Sequence, residues 1–262
     1  MNRLMMTSLL TMVLWGSGHV ATASEAPTID LGHAKINQAD DASLQRGAKV
    51  FMNYCSGCHS LEFVRYERLA QDLHITDEKG AVYTNLMKKN LMFTGDKIGE
   101  TIKIAMRGSD SALWFGVTPP DLSLIARARG TDWLYGYFKG FYRDDSRPWG
   151  VNNVVFPEVS MPHMLLSLQG LQEPIYETHV MHVGTETQVT KQLIGLKPGT
   201  KGSLTPEQYD QVVNDLVNFL AYAADPVKLE RERIGIWVIL FLVIFLAFAY
   251  LLKREYWKDI HD

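Results

Sequence analysis

Only two cysteines occur in 262 residues, so the chain can build neither a disulfide-stapled scaffold nor a four-sulfur zinc or iron–sulfur site. An excess of one charge is missing too. The 26 basic side chains face 29 acidic ones for a formal net charge of −3, and no global field advertises a nucleic-acid partner. No Gly-rich phosphate loop, nucleophile elbow or nucleic-acid module is found. His74, His163, His179 and His182 form no tight cluster with carboxylates, which makes them surface or core residues rather than a metal site. Intrinsic disorder is excluded by what is present, because a chain that is 47% hydrophobic and 21% charged can bury a real core.

The two ends are unusual. Residues 1–23 read as a secretory signal: Arg3 is the basic start, Leu9 to Trp15 the short apolar run, and Ala21-Thr22-Ala23 a small-x-small cleavage site. Gly16, Ser17, Gly18 and His19 interrupt that run well short of the ~20 residues a spanning helix needs. Ile234 to Leu252, in contrast, carries no charge and at 1.5 Å per residue extends ~28 Å, close to the hydrocarbon thickness of a bilayer. Arg231, Glu232 and Arg233 precede it and Lys253, Arg254 and Lys258 follow. Trp237, Tyr250, Tyr256 and Trp257 are suited to the interfaces. The expected organisation is a signal peptide at 1–23, an exported domain at 24–227, a membrane anchor with its charged lead-in at 228–252, and a cytoplasmic tail at 253–262.

Both cysteines fall in Cys55-Ser56-Gly57-Cys58-His59. A thioredoxin-like pair is expected beside a βαβ pattern, but the approach here is helical: Leu44, Ala48, Phe51, Met52 and Cys55 recur at three- and four-residue spacing behind Asp41 as N-cap. A zinc site lacks a second cysteine pair. Cys-x-x-Cys-His is the signature of c-type haem attachment. Two thiols three residues apart in a helical turn can each form a thioether to one vinyl group of one porphyrin, and the histidine then meets the iron from the proximal face. Export agrees, since bacteria attach this haem outside the cytoplasm.

An electron-transfer haem iron usually takes a second strong ligand, methionine or histidine. Met52 is too close to Cys55, and Met87, Met92 and Met106 lie in apolar, helix-like stretches that read as core. Met161 sits in Ser160-Met161-Pro162, where the proline disfavours helix, and Pro148, Gly150 and Pro157 mark the region as irregular. His163 and Met164 remain alternatives on spacing alone. Tyr137, Phe138, Phe141, Tyr142, Trp149 and Phe156 form an aromatic stretch that reads as pocket wall or core.

A second helix begins at Thr205-Pro206-Glu207-Gln208, with Thr as N-cap, Pro at the first position and Gln completing a capping box. Tyr209, Val212, Val213, Leu216 and Leu220 follow on one face, and Asp225-Pro226 ends it. Gly47 and Phe51 on the earlier helix look like the small and aromatic residues at a crossing of the two helices, because a mid-helix glycine costs ~1 kcal/mol and close approach of a partner explains it.

In these features the chain resembles the cytochrome c1 family, the haem subunits of respiratory cytochrome bc1 complexes. Cys55 to Leu61 with Tyr66 is similar to that family's attachment region. Pro119-Pro120-Asp121-Leu122-Ser123 with Arg127-Ala128-Arg129 is similar to its most recognisable internal block. Phe156-Pro157 through Met161-Pro162 resembles its axial-methionine loop, and Phe219 to Pro226 the end of its last globular helix before a single anchor. Ala70 to Met106 has no matching block. The resemblance implies a mainly α, class I cytochrome c-like domain with insertions plus one C-terminal transmembrane helix. It implies one covalently bound haem c held by Cys55 and Cys58, with His59 and Met161 as axial ligands and with Arg129 and Trp133 against the haem propionates or edge. The implied partners are the cytochrome b and Rieske iron–sulfur subunits, with a soluble or membrane-bound cytochrome c as electron acceptor. The location would be the bacterial inner membrane, with the haem domain on the periplasmic side and no nucleic acid involved. No residue of the chain would act as acid, base or nucleophile, so any enzyme activity belongs to the assembly. The rival readings are a membrane-anchored cytochrome of another oxidase or dehydrogenase, and a haem sensor with an open sixth position.

Overall fold

A computed structural model describes residues 29–183 and 186–258. The expected signal peptide at 1–23 and the end of the expected tail lie outside them. Nine helices and three two-stranded sheets are found among the described residues, two of the sheets antiparallel with Leu61 paired to Ile102 and Phe141 to Asn153.

Helix α1 spans Asp41–Tyr54, and its N-cap is Asp40 rather than Asp41: the Asp40 carboxylate accepts the Ser43 amide at 3.0 Å. The expected apolar positions Leu44, Ala48, Phe51 and Met52 are buried. Strand β1 (Leu61–Arg65) pairs with the short β2 (Thr101–Ile102) across a register irregularity. Between them lie α2 (Tyr66–Asp72) and α3 (Thr84–Asn90), which give the unmatched stretch from Ala70 to Met106 its structure. Met87 and Met92 enter the core as expected, whereas Met106 is half-buried in a bend outside any helix.

Three further helices follow, α4 (Gly108–Phe115), α5 (Ile125–Arg129) and α6 (Thr131–Lys139). Strands β3 (Phe141–Arg143) and β4 (Val151–Asn153) form a small hairpin, and α7 (Leu166–Gln169) is a single turn. Helix α8 (Pro206–Ala224) starts with the expected capping box: the Thr205 side chain accepts from the Gln208 amide, and the Gln208 side chain accepts from the Thr205 amide.

Helices α1 and α8 make the most extensive contact of the core. At the crossing Gly47 has no room for a side chain, since a Cβ there would lie 2.0 Å from the Asp215 carbonyl oxygen and 2.6 Å from Phe219 Cβ. The Phe51 and Phe219 rings meet beside it, 5.7 Å between centroids. Asp215 is buried in the same crossing and is fully served: it accepts from Ser43 Oγ (2.7 Å), from Arg46 Nε (2.6 Å) and Nη2 (3.0 Å), and from Gln211 (2.9 Å). The expected crossing of first and last helices is therefore present, with a polar clamp beside its aromatic contact.

Strands β5 (Gly170–Val183) and β6 (Glu186–Lys201) form a long two-stranded sheet that the sequence analysis did not anticipate. The described chain divides into two compact units. One contains the outer part of this sheet, Tyr176–Ile194, and the other contains Leu31–Ile175 and the chain from Gly195 onward, with every candidate site residue.

Helix α9 runs from Lys228 to Tyr256, past the expected end of the anchor at residue 252. Among the described residues it is the one helix long and apolar enough to cross a membrane, and none of its residues is buried. That exposure fits a surface that meets lipid or another subunit.

Candidate functional site

The last turn of α1 leads directly into the cysteine motif. The Phe51 carbonyl accepts the amides of both Cys55 (2.8 Å) and Ser56 (3.0 Å), and the Cys55 carbonyl accepts those of Cys58 (3.0 Å) and His59 (2.9 Å). Consecutive turns thus carry both thiols and the imidazole without a break. The thiols are unpaired, Cys55 buried and Cys58 partly exposed. Burial, with Cys58 nearby, pushes the Cys55 thiol up to about 12, and burial raises Cys58 as well. This is opposite to the lowered values of redox-active thiol pairs.

The His59 ring is fixed from outside the motif. Its Nδ1 lies 2.7 Å from the Pro120 carbonyl oxygen, and a carbonyl can only accept, so Nδ1 carries the proton and Nε2 keeps its lone pair. Burial lowers the imidazole pKa, against the opposing effects of the Pro120 carbonyl and Asp121, and so favours the neutral, metal-binding form. Pro120 is itself held by its neighbour. The Asp121 carboxylate accepts from Ser60 Oγ (2.7 Å), the Glu62 amide (2.8 Å) and the Ser123 amide (2.8 Å). The Leu122 amide donates to the Ser60 carbonyl (2.9 Å) and the Phe63 amide to Ser123 Oγ (3.1 Å). The Pro119–Ser123 block is therefore a loop bound to the residues just after His59, a role its sequence alone did not disclose.

Met161 lies in an irregular segment, half-buried against the core. The Tyr137 hydroxyl, from α6, donates to its sulfur at 3.3 Å. The two alternatives to Met161 differ from it. Met164 is exposed rather than packed. His163 is buried, with its ring stacked on Phe141 at 4.6 Å between centroids and 3° between planes. Burial lowers its pKa to about 4, against an opposing effect of Gln169, so the ring is neutral at pH 7.

Arg129, Trp133 and Tyr137 form one contiguous ladder. The Arg129 guanidinium lies 5.1 Å over the Trp133 ring and 5.9 Å from that of Phe156, and Trp133 stacks on Tyr137 at 5.0 Å and 12°. Arg127 is exposed. Arg147, which the sequence did not single out, gives Nη2 to the Glu158 carbonyl at 2.7 Å. Its Nε is buried without a hydrogen-bond partner among the described residues, a donor open to a carboxylate. The sequence reading named Pro120 and Tyr137, in the internal block and the aromatic stretch, but not their contacts with the imidazole and the thioether.

This donor set suits a c-type haem. The two unpaired thiols can form thioethers, the His59 Nε2 keeps a lone pair for a metal, the Met161 sulfur can supply a second ligand, and the unserved Arg147 Nε–H can donate to a carboxylate.

Comparison with known proteins gives the same answer. The model of the Cytochrome C1 family matches residues 33–260. Cytochrome c1 of Allochromatium vinosum is 52% identical over 231 residues, covering 88% of this chain and 90% of the relative. The ammonia monooxygenase gamma subunit of Nitrosomonas europaea is 44% identical, covering 91% and 92%. Cytochrome c1 of Blastochloris viridis is 29% identical, covering 86% and 83%. The chain belongs to the cytochrome c1 family, whose members carry one covalently bound haem c and serve electron transport.

Proposed function

We propose that this chain is the one-electron carrier of a quinol–cytochrome c reductase, taking electrons from the Rieske iron–sulfur subunit and passing them to a cytochrome c. Family membership supports its place as a haem subunit of a bc1 complex, beside cytochrome b. The observation that carries the reading is the His59–Pro120 hydrogen bond directly after the two cysteines, which leaves Nε2 as a metal ligand.

In this reading Cys55 and Cys58 would hold the porphyrin through thioethers, and His59 and Met161 would ligate its iron. Bound there, haem supplies a one-electron iron couple, and a Met/His pair places its potential high. Arg129, over Trp133 and beside Phe156, offers a guanidinium to a propionate. No proton needs to move and no side chain acts as acid or base; the protein binds, orients and excludes water. Helix α9 anchors the chain in the bacterial inner membrane with the haem domain on the periplasmic side, so that the carrier stays beside its donor.

The test is isolation of the intact membrane complex in mild detergent. This chain should retain haem on a denaturing gel, co-purify with a cytochrome b and an iron–sulfur subunit, and become reduced when quinol is added. Haem that extracts freely into acidified organic solvent would refute covalent attachment. Association with an oxidase in place of a cytochrome b would favour the rival membrane cytochrome.

A further inference from the structure

We propose that Tyr137 tunes the redox potential through Met161, its hydroxyl hydrogen-bonding the thioether sulfur at 3.3 Å. The proposal rests on Met161 being an axial ligand, and it adds a positioning residue to that site.

A thioether sulfur has two lone pairs, so one can bind a metal while the other accepts a hydrogen bond. The donor is fixed before any ligand arrives. Trp133 stacks on one side of the Tyr137 ring (5.0 Å, 12°), while Phe141 and Phe138 meet it edge-on at 5.3 and 5.7 Å. The Tyr137 backbone is tied as well, since the buried Asn153 side chain donates to its carbonyl at 2.7 Å. With ring and backbone fixed, the direction of the hydroxyl is set by packing, as expected of an outer group that orients and tunes a metal ligand.

The electronic consequence has a definite sign. A hydrogen bond draws electron density from the sulfur and makes it a poorer donor. Oxidised iron depends on ligand donation more than reduced iron does, so the bond destabilises the oxidised form more and raises the potential. Removing the hydroxyl while keeping the ring should lower it.

The experiment uses the full-length, haem-loaded protein in detergent and compares wild type, Tyr137→Phe, Met161→Leu and the double variant. Two quantities are read: the midpoint potential and the far-red charge-transfer band from methionine sulfur to ferric iron. Tyr137→Phe should keep the band. It should shift the one-electron equilibrium against a fixed reference couple by about threefold to tenfold toward the oxidised form, which is ~28–59 mV. In the Met161→Leu background the same change should shift nothing further, because the sulfur that transmits the effect is gone.

An unchanged potential in Tyr137→Phe overturns the proposal and leaves the axial assignment standing. An equal shift with and without Met161 also overturns it, because the effect then does not pass through the sulfur. Loss of the band or of haem in Tyr137→Phe overturns it as well, by showing that the hydroxyl holds the loop together. If Met161→Leu itself keeps the far-red band, the axial assignment fails and the tuning role fails with it.

Discussion

The Nδ1–H of His59 donates to the carbonyl oxygen of Pro120 across 61 residues of sequence, at 2.7 Å. One hydrogen bond thus decides which imidazole nitrogen carries the proton and which keeps its lone pair, and the loop that provides it is anchored by Asp121. The family resemblance in the Pro119–Ser123 block gains a physical meaning: the block is a collar for the histidine.

That collar makes a prediction about pH. Burial works against the Asp121 charge, yet hydrogen bonds from Ser123, the Glu62 amide and Ser60 hold its carboxyl below the usual range. A lowered carboxylate contributes stability that is fully present above its unfolded value of ~3.9 and is lost as pH falls through the folded value. The stability gap between wild type and Asp121→Asn should therefore be constant from neutral pH down to about pH 4 and shrink below it. Denaturant titrations at several pH values measure the gap. A gap that grows on acidification would contradict the assignment.

The helix crossing makes a second. Alanine at Gly47 gains ~1 kcal/mol of helix propensity. Its Cβ would lie 2.0 Å from a backbone oxygen of α8, which cannot rotate away as a side chain would. Overpacking at such a site costs about 3 kcal/mol, so Gly47→Ala should be destabilised by ~2 kcal/mol in net. A melt of equal or greater stability would show that the helices can separate without cost.

The anchor makes a third. Burial in α8 continues to Ala224, and no residue of α9 is buried. Truncation after Asp225 should yield a soluble, red domain that still takes up one electron. A fragment that fails to hold haem would make α9 part of the haem-binding core.

The sequence disclosed what local rules govern. Thioether chemistry demands two thiols three residues apart and a following histidine, so the motif was legible without any contact map. The capping box at Thr205 and the apolar period of α1 and α8 were legible for similar reasons, although the cap of α1 moved by one residue, to Asp40. The long β5–β6 pair was not. Pro174 and Gly195, Pro198 and Gly199 read as strand breakers, yet every strand of a two-stranded sheet is an edge, where they are tolerated. Close approach at its base explains two glycines, one opening β5 and one just after β6: a Cβ on Gly170 would lie 2.0 Å from the Thr200 carbonyl oxygen, and one on Gly202 2.2 Å from that of Leu168. The Tyr137–Met161 contact was also hidden, because it joins a helix to a loop 24 residues later and only packing brings them together.

The most direct test of the central claim, a haem c with His59 and Met161 as axial ligands, is the optical redox titration of Met161→Leu beside wild type. Wild type should be low-spin and six-coordinate in both oxidation states. The variant should lose that spectrum and titrate ~100 mV or more lower, within the ~0.8 V over which axial ligands move haem potentials. At 59 mV per tenfold, such a fall would impair reduction by the iron–sulfur partner by more than an order of magnitude. An unchanged low-spin spectrum and potential in the Met161→Leu protein would contradict the account.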